Sequence, residues 1–96
     1  MEIKTLTVDI SKNFQHVCAF DRKGNLLFKK VYKPVSFHKL LAETSPCEVI
    51  SEACGMAHHW ARTAMSHGHD AKLIAPKYVK QFVTDYKNDF NERVFN

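Results

Sequence analysis

Four acidic residues stand where a divalent cation could use them: Asp9, Glu52, Asp89 and Glu92. Asp9 interrupts the alternating run Leu6, Val8, Ile10, so its carboxylate points to the face opposite those side chains. Glu52 closes a second apolar run, Cys47 to Ser51, just ahead of an amphipathic stretch. Asp89 and Glu92 are three apart, an interval that puts two side chains on one helix face. A carboxylate built into a sheet must be solvated, paired or metal-bound, because an isolated buried charge is costly. Mg2+ (or Mn2+) takes oxygen ligands, and one or two carboxylates with substrate phosphates suffice to hold it. Such ions serve phosphodiester chemistry by activating a nucleophile and stabilising a leaving oxygen. Plainer roles exist for the same residues. Asp89-Phe90-Asn91-Glu92 has the form of a helix capping box, and on spacing alone capping outweighs metal binding there. Asp9 also suits a strand end whose carboxylate bonds local backbone N–H groups.

Nitrogen and sulfur ligands crowd elsewhere. Cys54, His58, His59, His67 and His69 fall within sixteen residues. Four such ligands would make a structural zinc site. The spacing does not favour it: Cys54 and His58 could share a helix face, but no second pair mirrors them. His67-Gly68-His69 reads as a helix end, where imidazole interacts well with the dipole. Trp60 is in helical register with Ala57 and Ala64 and reads as core, whereas Arg62 falls off that stripe.

The elements that must position these groups follow from periodicity. Leu6, Val8 and Ile10 alternate with Thr5, Thr7 and Asp9, a strand. Ser11-Lys12-Asn13 links it to a second, in which Phe14, His16, Cys18 and Phe20 alternate with Gln15, Val17 and Ala19. Asp21 to Asn25 is a turn in which Gly24 supplies positive φ, and Leu26 to Tyr32 returns antiparallel. Pro34 ends this meander. Ser36 is placed to cap a short helix bearing Phe37, Leu40 and Leu41, with Val35 and Leu40 at the spacing of a hydrophobic staple. Ser45-Pro46 breaks that helix, and Cys47 to Ser51 is a buried strand. Ala57, Trp60, Ala61, Ala64 and Met65 recur at helical spacing until Gly68. Ala71 to Ala75 is another buried strand, and Pro76 opens a last helix carrying Val79, Phe82, Val83 and Tyr86. The order βββαβαβα describes an α/β domain with a five-stranded mixed sheet and helices packed on it, the order of the ribonuclease H-like fold. Sugar-kinase and actin-type domains share that core, so order alone does not choose a chemistry.

The chain has 96 residues, room for one small domain. Its net charge of +4 comes with lysines at 29, 30 and 33 and again at 72, 77, 80 and 87. This permits nucleic-acid contact, although on charge alone a solvated surface is the better explanation. No run approaches the roughly 20 apolar residues of a membrane span. Met1-Glu2-Ile3-Lys4 leads straight into a strand without a signal peptide. Three cysteines without regular spacing point to a reducing, cytoplasmic setting.

Several short pieces together resemble the N-terminal domain of the DEDD insertion-sequence transposases, a family related to the Piv-type DNA invertases that includes the bridge-RNA-guided recombinases. They are Val8-Asp9-Ile10-Ser11-Lys12, Glu52-Ala53-Cys54-Gly55, Ala57-His58 with Trp60-Ala61-Arg62, Gly68-His69, Lys72-Leu73-Ile74-Ala75-Pro76, Tyr78-Val79-Lys80 and Lys87-Asn88-Asp89. The resemblance implies a RuvC-like domain over 1–88 with a truncated tail over 89–96. It implies an acidic tetrad at Asp9, Glu52, Asp89 and, where the family has Asp, Glu92, with Asp9, Glu52 and Asp89 as metal ligands. It implies Mg2+ or Mn2+ as cofactor, DNA as substrate, possible use of a guide RNA, and work as a homo-oligomer away from membranes. Lys12, Arg62, Lys72, Lys77, Lys80 and Lys87 are the candidate nucleic-acid contacts. The family's long helical segment and its C-terminal domain with a nucleophilic serine do not fit in 96 residues. The expectation is therefore an Mg2+-dependent transposase or recombinase domain, for DNA strand cleavage or transfer, that is incomplete on its own.

Two other readings compete. The domain could be a non-catalytic nucleic-acid-binding or self-associating fragment of a decayed element. A nucleotide-binding actin-like domain is the weaker rival, because the three glycines are isolated and build no phosphate loop.

Overall fold

The computed structural model describes residues 2–74. Within them the order is β1 (Thr5–Ile10), β2 (Gln15–Phe20), β3 (Leu26–Tyr32), α1 (Pro34–Glu43), β4 (Glu48–Glu52), α2 (Ala57–Ser66) and β5 (Asp70–Ile74). The expected helix after Pro76 lies outside the described residues. The five strands form one sheet in the order β3-β2-β1-β4-β5. β2 runs antiparallel to β1 and β3, whereas β4 is parallel to both β1 and β5. The mixed sheet, with β4 set beside β1, is thus as the element order predicts. It is compatible with a ribonuclease H-like fold. No described helix is long and apolar enough to cross a membrane.

Register decides which side chains meet. Leu6 is level with Ala19 and Val49, and Val8 with Val17, so these side chains share one sheet face. That face packs against Phe37 and Leu41 of α1 and Trp60 and Ala64 of α2 in one buried cluster. Phe37 and Trp60 meet edge to face at 4.8 Å, joining the two helices over the sheet. In β2 the buried residues are Gln15, Val17, Ala19 and Phe20, and Phe14 stands 44% exposed ahead of the strand.

Three local expectations are corrected. α1 begins at Pro34, two residues before Ser36, and Lys33 precedes it without a side-chain cap. Proline's fixed φ and missing N–H suit the first helical position, so the proline overrides the serine's capping signal. Val35 is 83% exposed and forms no staple with Leu40. β5 is only half-buried, with Lys72 exposed, because it is an end strand among the described elements.

The turns use the residues expected of them. Gly24 has φ of +82°, and the Asp21 carboxylate accepts the N–H groups of Lys23 and Asn25, each at 2.9 Å. Those bonds hold the Asp21 carboxyl below its ordinary range. Gly68 has φ of +86° and closes α2.

Candidate nucleic-acid and metal site

Asp9 and Glu52 lie at the carboxyl ends of two neighbouring parallel strands. The β1–β4 ladder runs to Val8 opposite Ser51, and one rung further sets Asp9 opposite Glu52. Both have the parity of Thr7 and Ile50, so they sit on the sheet face away from α1 and α2. Adjacent strands are about 4.8 Å apart, so the two residues stand side by side on that face. Asp9 is exposed and Glu52 half-buried. On the other side of Asp9, level with it on β2, is His16, also exposed. The pattern Gln15-His16-Val17 gave no chemical signal for His16; only the register of the hairpin puts it beside Asp9. In open sheets with parallel strands, the carboxyl ends are where ligands are usually received.

The end of the sheet that carries Asp9 also carries Lys12. The link between β1 and β2 is pinned by Ser11, whose N–H and hydroxyl both donate to the Phe14 carbonyl, at 2.9 Å and 2.8 Å. This tight turn holds Lys12 out into solvent three residues after Asp9. On the helix side of the same turn opens a groove of about 350 Å³, lined by Lys12, Gln15, Val35, Met56, His59 and Trp60 among others. Gln15 is 2% exposed and its side-chain oxygen has no hydrogen-bond partner among the described residues.

The other basic candidates are dispersed. Arg62 is exposed on α2. Lys72 is engaged: its Nζ lies 2.6 Å from Glu48 Oε2 and 3.8 Å from Asp70 Oδ2. The hydrogen bond to Glu48 and the charge of that carboxylate raise the Lys72 pKa. To reach a phosphate, this ammonium must first leave Glu48. Asp89, Glu92, Lys77, Lys80 and Lys87 lie outside the described residues.

Among the described residues no group of three or more His, Cys, Asp or Glu side chains is arranged to hold a metal ion. Cys54 precedes α2, which starts at Ala57, so Cys54 and His58 do not share a helix face. The three cysteines are free thiols. His69, expected as a helix-end residue, is instead buried between elements at 4% exposure.

Three comparisons bear on what this arrangement belongs to. Over 88 residues, 92% of the chain, it is 36% identical to the transposase for insertion sequence element IS1328 of Yersinia enterocolitica. Over 91 residues, 95% of the chain, it is 37% identical to the transposase for insertion sequence element IS1111A of Coxiella burnetii. Along almost its whole length the chain is similar to a part of these insertion-sequence transposases. A probable family 20 transposase of Pseudomonas aeruginosa is 33% identical over 92 residues. The chain spans about a quarter of the length of these relatives, 26%, 25% and 27% respectively. No family model matches the chain, and no solved structure does.

Proposed function

We propose that the chain is the N-terminal, RuvC-like catalytic domain of a DEDD-type transposase, acting on DNA strands in transposition. The observation that carries this reading is the placement of Asp9 and Glu52 on one face at the carboxyl ends of adjacent parallel strands. The donor set fits the cofactor: two carboxylates offer hard oxygen ligands, which suit Mg2+ or Mn2+. Asp9 and Glu52 would hold the cation, Asp89 would complete the ligands and Glu92 would take the fourth acidic position. When bound, such a cation activates a nucleophile and stabilises the leaving oxygen of a phosphodiester. Lys12, held beside this end of the sheet by the Ser11–Phe14 turn, meets a backbone phosphate and orients the strand. Arg62, Lys72, Lys77, Lys80 and Lys87 extend the contact along the nucleic acid, and a guide RNA and a second copy of the chain are further partners. Cytoplasmic residence belongs to the same reading.

A divalent titration with thermal unfolding as readout tests it. Ligand at ten times its Kd stabilises by about 1.4 kcal/mol, which for a domain of this size is a rise of about 5–10 °C. The rise is expected in the wild type and absent in Asp9→Asn and Glu52→Gln. Nicking of labelled DNA should then depend on Mg2+ or Mn2+ and vanish in the same variants. Binding to DNA should weaken steeply with salt, as counterion release requires. DNA binding that persists with no metal response and no nicking in the wild type would replace the catalytic reading with that of a binding module.

A further inference from the structure

Away from the carboxylates, His38 on α1 and His67 at the end of α2 bring their Nε2 atoms to 3.3 Å. The ring centroids are 5.4 Å apart and the planes inclined by 53°, so the rings meet tip to tip and do not stack. Zn–N bonds of about 2.0–2.1 Å at a tetrahedral angle separate two ligating nitrogens by about 3.3–3.4 Å. The observed separation falls in that range. A neutral imidazole pair sharing one proton can also approach so closely, which is why the preparation of the two rings matters.

Both rings stand on fixed backbone. His38 follows Phe37, which is 1% exposed, and lies three residues before Leu41, which is wholly buried. His67 N–H donates to Ala64 O, and the next two residues are tied back as well: Gly68 N–H to Met65 O and His69 N–H to Ala64 O. The His69 ring is itself buried and bonded to Cys47 and Leu41. The pair is therefore set on two anchored elements, and little backbone entropy remains to be lost on coordination.

We infer that His38 and His67 form a two-histidine site for a borderline-soft divalent ion such as Zn2+, with water in the remaining positions. Imidazole nitrogen selects Zn2+, Ni2+ or Cu2+ over Mg2+, so Mg2+ does not compete for this pair. No third His, Cys, Asp or Glu joins the pair among the described residues, so the coordination sphere stays open to solvent or to an incoming ligand. A bound ion ties α1 to the end of α2 and stabilises the fold by mass action.

Calorimetric titration of Zn2+ into the chelator-stripped chain tests the inference, with thermal unfolding alongside. One site per chain is expected, with a rise in Tm. His38→Gln and His67→Gln, both changes at the molecular surface, should each weaken Zn2+ affinity about tenfold or more. Asp9→Asn should leave Zn2+ binding unchanged, and Mg2+ should not compete for the site. Nitrogen-15 NMR of the imidazoles should show Nε2 of His38 and His67 shifted on titration, with His58 and His59 unmoved. Failure of the wild type to bind Zn2+, binding undiminished in both glutamine variants, or binding lost in Asp9→Asn would each overturn it. In the first case the contact is a plain hydrogen bond between two neutral rings.

Discussion

His69 joins three elements through one ring. The Cys47 N–H, at the entry to β4, donates to its Nδ1 at 3.1 Å, and its Nε2 lies 2.7 Å from the Leu41 carbonyl of α1. An amide can only donate and a carbonyl can only accept, so the ring is the neutral tautomer with its proton on Nε2. Leu41 is in the last turn of α1, where carbonyls have no partner within the helix, so His69 caps a helix 28 residues away. The sequence shows a histidine near a helix end; it does not show that its partners lie 22 and 28 residues upstream, a fact of packing alone. Replacing His69 by Ala leaves a buried N–H and a buried C=O unpaired and opens a void. Chemical denaturation should show a loss of about 3 kcal/mol. A second residue-scale consequence concerns Cys47, whose thiol is pushed up to about 11, first by burial and then by the nearby Glu48 carboxylate. At pH 8 a thiol-alkylating reagent should label Cys18 and Cys54 well before Cys47. The same shift makes stability fall at alkaline pH. Between the unfolded thiol's value near 9 and the folded value near 11, the unfolded chain has released a proton that the folded chain keeps, and this favours unfolding. Unfolding midpoints measured from pH 8 to 11 should decline, and less so in Cys47→Ala relative to its own value at pH 8.

At the scale of elements, α2 shows how a helix stop is read correctly and for the right reason. Gly68 N–H bonds Met65 O at 2.9 Å and His69 N–H bonds Ala64 O at 3.1 Å. This is the paired reverse closure of a helix that needs a left-handed residue between. Gly68 provides it at φ +86°. A Cβ there would meet Pro46 Cγ at 3.5 Å, an ordinary contact, so space is not the obstacle. The cost of Gly68→Ala is backbone strain, about 1–2 kcal/mol, and Gly68→Asn should recover part of it. Thermal unfolding of the two variants checks the ranking. The start of α1 was less legible, since Ser36 and Pro34 both signal a helix start and only one can prevail. Position decides: Pro34 is at N1 and Ser36 becomes an interior residue of the first turn. The Asp9–Glu52 placement was legible because strand parity and element order both come from periodicity. The His16–Asp9 and His38–His67 juxtapositions were not, because each depends on register or on the packing of two helices.

At the scale of the whole molecule, the described sheet has two end strands, β3 and β5. β3 reads Leu26-Leu27-Phe28-Lys29-Lys30-Val31-Tyr32, a β-prone run broken by two exposed lysines. Unpaired edges invite pairing with another chain, and charged side chains, lysine above all, are a common defence. Lys29 is level with Cys18 and Lys30 with Val17, so one charge stands on each face of the edge. Lys30 also lies 5.3 Å from the Tyr32 ring centroid, covering that aromatic with a cation. Replacing both lysines with valine would turn the strand into an unbroken apolar segment of the kind that stacks edge to edge. In sedimentation velocity, Lys29→Val/Lys30→Val should show a weight-average coefficient that climbs with concentration more steeply than the wild type. Thermal unfolding at the lowest concentration should stay close to wild type, because both side chains are exposed. Identical concentration dependence in the two proteins would mean that the β3 edge is protected by something other than its lysines.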